Sequence, residues 1–170
     1  MLRDANLGRK GNRFVQAERK ERCLMNVNQI RAIAICVVRN GGHILVEHGF
    51  DPAKDQHFYR PPGGGIEFGE RAVETIHREF REELDAELAD PLLLGVVENL
   101  FHFEGRPHHE IVFVFEARFQ DARLNEQREF IISEPSGQNR ASWKSLGELS
   151  DGQHPLYPEG LLDLLRKQTG

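Results

Sequence analysis

Between Gly63 and Ala86 the chain reads Gly-Gly-Gly-Ile-Glu-Phe-Gly-Glu-Arg-Ala-Val-Glu-Thr-Ile-His-Arg-Glu-Phe-Arg-Glu-Glu-Leu-Asp-Ala. Residues 70–84 predict a helix. Projected at about 100° per residue with Glu79 at zero, Glu83 falls near +40° and Glu82 near −60°. Ile76, Phe80, Val73 and Leu84 form the apolar stripe beside them. Three carboxylates therefore share one arc at the border of the buried face. Each like-charged pair at i,i+3 or i,i+4 costs a helix about 0.2–0.5 kcal/mol. A divalent cation converts that repulsion into coordination, and clustered carboxylates suit Mg²⁺ or Mn²⁺, which take oxygen ligands. No Cys/His pair has zinc spacing.

A solvated acidic helix after a glycine turn would explain any one of these features. It does not explain the whole spacing. Gly64, Glu70, Arg78, Glu79, Glu82 and Glu83 stand at fixed intervals. At ordinary residue frequencies that combination arises on the order of once in 10⁷ start positions.

The stretch resembles the Nudix box, Gly-x5-Glu-x7-Arg-Glu-U-x-Glu-Glu-x-Gly-U, with U a bulky apolar residue. The matching residues are Gly64, Glu70, Arg78, Glu79, Phe80, Glu82 and Glu83; Asp85 and Ala86 depart from the last two positions. Asp still tolerates the left-handed conformation that a helix end often takes. The resemblance implies an α/β fold: a Nudix-like α/β/α sandwich with a mixed β-sheet and the Nudix loop-helix. It implies an enzyme, a Nudix-type pyrophosphohydrolase that cleaves a pyrophosphate bond in a nucleoside diphosphate linked to another moiety. It further implies Glu79, Glu82 and Glu83 as metal ligands for Mg²⁺ or Mn²⁺. A backbone carbonyl at Gly63 or Gly64 is an added ligand, with Gly64 preferred. Glu79 is also the candidate to orient or deprotonate the water, and Arg78 the bidentate partner that pins the glutamates. Glu70, read as part of the first helical turn, takes a supporting role.

Other candidates are less specific. Arg60, at the end of a short strand, and the Gly63–Gly64 backbone are read as substrate-binding. For an extra carboxylate outside the box Glu98, Glu110 and Glu134 compete, and Glu134 ranks first because it lies in the loop before Trp143. His102, His108 and His109 read as loop histidines more readily than as bases. Phe101 and Phe103 read as core more readily than as a stacking platform. Two further classes remain open: a nucleotide-binding or regulatory module without turnover, and an RNA 5′-end-processing pyrophosphohydrolase.

The elements that must position these residues are also legible. Ile30–Arg39 and His43–His48 read as strands joined through Asn40-Gly41, a strong hairpin signal. Residues 49–57 read as a loop, Phe58–Arg60 as a short strand, and the three glycines as a turn. Leu92–Phe103 and Glu110–Phe119 read as strands, the second apolar on both faces and so covered on both sides. A hairpin is expected across Pro135–Gly137, and a closing helix over Pro158–Lys167.

The whole chain has 170 residues, 39% of them apolar, with a net charge of −5. That length suits one domain with a sizeable core and excludes a wholly disordered chain. Residues 1–24 carry seven basic and three acidic residues, +4, so residues 25–170 carry −9. We read 1–24 as a basic mobile tail and 25–170 as the Nudix hydrolase domain. No apolar run approaches the roughly 20 residues of a membrane span. Two Cys fit reduced thiols, and the reading is a cytoplasmic protein. The expected partner is a small nucleotide-type substrate. The acidic balance argues against a nucleic-acid partner, and a homodimer is left open.

Overall fold

The computed structural model describes residues 29–134 and 137–167. The 1–24 tail lies outside the described residues. Eight strands occur in chain order: β1 Ile30–Asn40, β2 His43–Asp51, β3 Gln56–Arg60, β4 Gly63–Gly65, β5 Leu88–Phe103, β6 Arg106–Phe119, β7 Glu129–Glu134 and β8 Gly137–Ser145. Helix α1 spans Ala72–Leu84 and α2 spans Leu161–Lys167. The sheet runs β5-β6-β1-β2-β8-β7, with β3 added on β2 and β4 on β1. β1 and β6 are parallel and the other pairs antiparallel, so the sheet is mixed as expected.

Alternation along β1 divides the core. Ala34, Cys36 and Val38 point to one side, where Ile76, Phe80 and Leu84 of α1 pack with Phe115, Ala117 and Phe119. Ile33, Ile35 and Val37 point to the other, against Val112, Val114 and Leu161 and Leu165 of α2. This is the two-sided burial that the apolar β6 sequence demanded, and it yields the helix–sheet–helix layering. Burial pushes the Cys36 thiol well above its ordinary range, with Glu116 adding to the effect.

Several expected boundaries move. The loop over 49–57 shrinks to Pro52–Asp55, because β2 runs on to Asp51 and pairs with β3 from Gln56. The three glycines are not a turn: β4 lies antiparallel to β1, with Gly63 opposite Ile35. Gly63 has φ +146°, and a Cβ there would sit 2.2 Å from the Ala34 carbonyl oxygen, so only glycine fits this approach. His102, His108 and His109 lie on β5 and β6 rather than in a loop. Among the described residues no helix is long and apolar enough to cross a membrane.

Candidate functional site

Helix α1 begins at Ala72, capped by Arg71, whose backbone N–H donates to the Glu74 carboxylate at 2.8 Å. Glu70 therefore precedes the helix instead of lying in its first turn. Its position has a different use. Arg78 Nε donates to Glu70 Oε1 at 2.9 Å and Arg78 Nη2 to Glu70 Oε2 at 3.0 Å. The bidentate partner of Arg78 is thus Glu70. The same guanidinium continues to Glu79 Oε1 at 2.8 Å, Glu82 Oε2 at 3.3 Å and the Gly65 carbonyl at 3.1 Å. One cation ties the strand β4, the connecting loop and two turns of α1 together. Arg78 holds the Glu70 carboxyl down at about 2, helped by the Glu67 amide and the Thr75 hydroxyl; Glu70 in turn raises Arg78.

Glu79 is buried, Glu83 half-buried and Glu82 exposed, so the arc runs from the core edge into solvent, as the helical projection required. The Glu79 carboxylate rests on Gly64. A Cβ at Gly64 would lie 2.1 Å from Glu79 Oε1 and 2.4 Å from its Cδ. The glycine is needed for the space that its absent side chain leaves. Helix α1 ends at Asp85 in the left-handed conformation (φ 49°), and the Ala86 N–H donates to the Phe80 carbonyl. The departure from Gly at this position keeps the helix end intact.

Among the described residues no three His, Cys, Asp or Glu side chains are gathered into a ready metal cage. The donor set nonetheless fits a hard divalent ion. Glu70, Glu79 and Glu82 share one guanidinium, which leaves the edge of α1 negative, and with Glu70 taken up by Arg78 the oxygen donors on that edge are Glu79, Glu82 and Glu83.

A cavity of about 310 Å³ opens between β1, β5 and β6 on one side and β2 and β3 on the other. Arg60 joins it to the glycine strand: it lines the cavity, and its Nη2 donates to Glu47 Oε2 at 3.3 Å and to the Gly63 carbonyl at 3.4 Å. The other predicted residues fall in three places. Phe101, Phe103, His102 and His108 line the cavity, so the two phenylalanines are wall and not core. Glu110 is buried in the same wall. Glu98 is exposed and hydrogen-bonded to His109 Nε2 at 2.9 Å. Glu134 ends β7; its side chain lies outside the described residues. The sequence reading missed Glu47, Asp51, Asn99, Phe58 and Tyr157, which come from β2, β3, β5 and the segment before α2. A polar residue within an apolar strand, such as Asn99 after Val96-Val97, was the available signal.

Comparison with known proteins decides the family. The NUDIX domain model matches residues 28–164. The chain belongs to the Nudix family. It is a Nudix hydrolase, and of the box residues read from the sequence Glu70, Glu79 and Glu82 are the ones that Arg78 holds. Solved structures agree in fold. A MutT NUDIX hydrolase from Burkholderia pseudomallei has a TM-score of 0.60 at 24% identity, over 81% of this chain and 98% of that one. A NUDIX hydrolase from Nitrosomonas europaea has a TM-score of 0.56 at 17% identity, over 83% and 89%. A MutT protein from Bacillus halodurans has a TM-score of 0.56 at 23% identity, over 81% and 80%.

Proposed function

We propose that this Nudix hydrolase cleaves a pyrophosphate linkage in a nucleoside diphosphate derivative, using Mg²⁺ or Mn²⁺ held by Glu79, Glu82, Glu83 and the Gly64 carbonyl. The observation that carries this reading is the Glu79 carboxylate seated on Gly64 while Arg78 grips its Oε1. Oε2 is left as the oxygen available to an ion or a proton. When bound, the ion supplies charge neutralisation at the phosphate oxygens and an acidified water.

The protein's own residues do the positioning that phosphoryl transfer chiefly requires. Arg78 fixes Glu79 and Glu82 against the glycine strand. Glu79 orients the attacking water and takes its proton as the water oxygen bonds to phosphorus. The phosphorus–oxygen bond of the anhydride breaks, and the leaving phosphate carries the electron pair away. Arg60, beside Gly63, receives a substrate phosphate and exchanges one of its present acceptors for it. The cavity behind Arg60 takes the organic end of the substrate; its volume lies in the ordinary range for small-ligand sites.

The test is a screen of nucleoside triphosphates, sugar nucleotides, ADP-ribose and dinucleoside polyphosphates with Mg²⁺ or Mn²⁺, with the nucleotide products separated by anion-exchange chromatography. At least one class should turn over, and EDTA should abolish the reaction. Nucleotide binding without hydrolysis across the screen would favour a module without turnover.

A further inference from the structure

The wall of the cavity divides by burial. Its most buried polar side chains are Glu47, Asp51, Asn99 and Glu110, three carboxylates and an amide. The lining cations Arg31, Lys54 and Arg60 are much more exposed. Two of the buried groups already face a cation within 3.4 Å, although Asp51 Oδ2, like Asn99 Oδ1, accepts no hydrogen bond. Asp51 Oδ1 accepts from the Ala53 and Glu104 amides at 3.0 and 3.1 Å, with Lys54 Nζ 3.4 Å from Oδ2. Glu47 pairs with Arg60.

Asn99 and Glu110 differ. They are directly opposed across β5 and β6 and are only 4% and 8% exposed. Their contacts are long. Asn99 Nδ2 stands 3.5 Å from Glu110 Oε2, and Arg31 Nη1 stands 3.6 Å from Glu110 Oε1. Asn99 Oδ1 has no hydrogen-bond donor. Burying an amide oxygen and a carboxylate with so little compensation is costly, and a ligand N–H donor would remove the cost. Flat walls surround the pair. Phe101 stacks on His108 at 5.1 Å, and Tyr157 meets Phe58 edge-on at 5.5 Å.

We propose that the cavity receives a nucleobase bearing an exocyclic amino group, and that Asn99 and Glu110 select it by accepting its N–H donors. The inference rests on the hydrolase reading of this cleft and adds the class of base. Aromatic walls suit a planar ring, buried acceptors suit its donors, and exposed cations suit a phosphate tail leading to Arg60 and Gly63. A base with a carbonyl in place of the amino group sets lone pair against lone pair at that position and has only its ring N–H left to offer, so one acceptor stays unpaired.

The test measures binding of nucleoside monophosphates to the full-length protein by calorimetry without metal, comparing IMP with AMP and GMP, and UMP with CMP. Within the ring class that binds, an amino-bearing member should bind at least about 10-fold tighter. Glu110→Gln, nearly isosteric, should cut that ratio to about 3-fold or less. Should it fail to fold, Asn99→Ser carries the same comparison, and the wild-type ratios need no variant. Equal affinities, a ratio indifferent to both substitutions, or no binding would overturn the proposal. Hydrolysis of the triphosphates with Mg²⁺, assayed in parallel, keeps the two readings apart. Turnover without base discrimination overturns the base assignment alone. Discrimination without turnover of the triphosphates supports it, and the hydrolase reading is overturned only if every class of the substrate screen fails.

Discussion

The edge of α1 and the cavity wall both concentrate carboxylates, but they hold them differently. At α1 a single guanidinium makes contacts of 2.8–3.3 Å to Glu70, Glu79 and Glu82. In the wall, Glu110 has contacts of only 3.5 and 3.6 Å. On the proposed reading the first site is pre-organised by the protein itself, as chemistry requires, and the second is completed by what binds there, as recognition requires. The difference also says which substitutions should change rate and which should change selectivity.

The largest effect should come from removing metal. With EDTA in excess, turnover should fall to background while the cavity's preference among monophosphates persists. Turnover that survives EDTA would erase the distinction between the two regions.

Gly64→Ala should have a smaller effect than removing metal. The new Cβ must displace the Glu79 carboxylate, so kcat should fall at least about 10-fold, with overpacking costing about 1–3 kcal/mol of stability. Gly65→Ala, whose Cβ meets nothing within 4 Å, should cost far less in both. Steady-state kinetics and thermal melts of the two variants decide the point.

A smaller effect concerns pH. Arg78 lowers the Glu70 carboxyl from 4.5 to about 2. A depressed carboxyl contributes stability above its unfolded value, and that contribution fades as pH falls through the folded one. Wild type should therefore lose melting temperature between about pH 5 and pH 2 more steeply than Glu70→Gln. Parallel slopes would show that the Arg78–Glu70 bridge contributes nothing.

The smallest effects should be on stability at the outer turn. Glu82 is 60% exposed, so Glu82→Gln should shift stability by only a few tenths of a kcal/mol. It should still weaken the apparent affinity for Mg²⁺ in a turnover titration. Glu74→Gln keeps an acceptor for the Arg71 amide and should leave turnover unchanged.

The two regions were also unequally legible. The α1 site lies within one short stretch, so local spacing and the 3.6-residue period were enough to place Glu79 inside and Glu82 outside. Glu70 reads as part of the helix on local sequence because its partner, Arg78, is two turns away and no helical period predicts that bridge. The three glycines read as a turn on local sequence because their pairing with β1 is a long-range event. The cavity was invisible for the same reason. Phe101 reads as core on alternation alone, and only the packing of β3 and the Tyr157 segment opposite turns it into a wall.

The most direct measurement is turnover of Glu79→Gln beside wild type, on a substrate that wild type hydrolyses with Mg²⁺, with melting temperatures recorded for both. The substitution preserves the shape of the side chain seated on Gly64 and removes its charge. Turnover should fall at least about 100-fold, on the order of 3 kcal/mol of transition-state stabilisation, with the fold intact. Wild-type turnover in a folded Glu79→Gln protein would contradict the account.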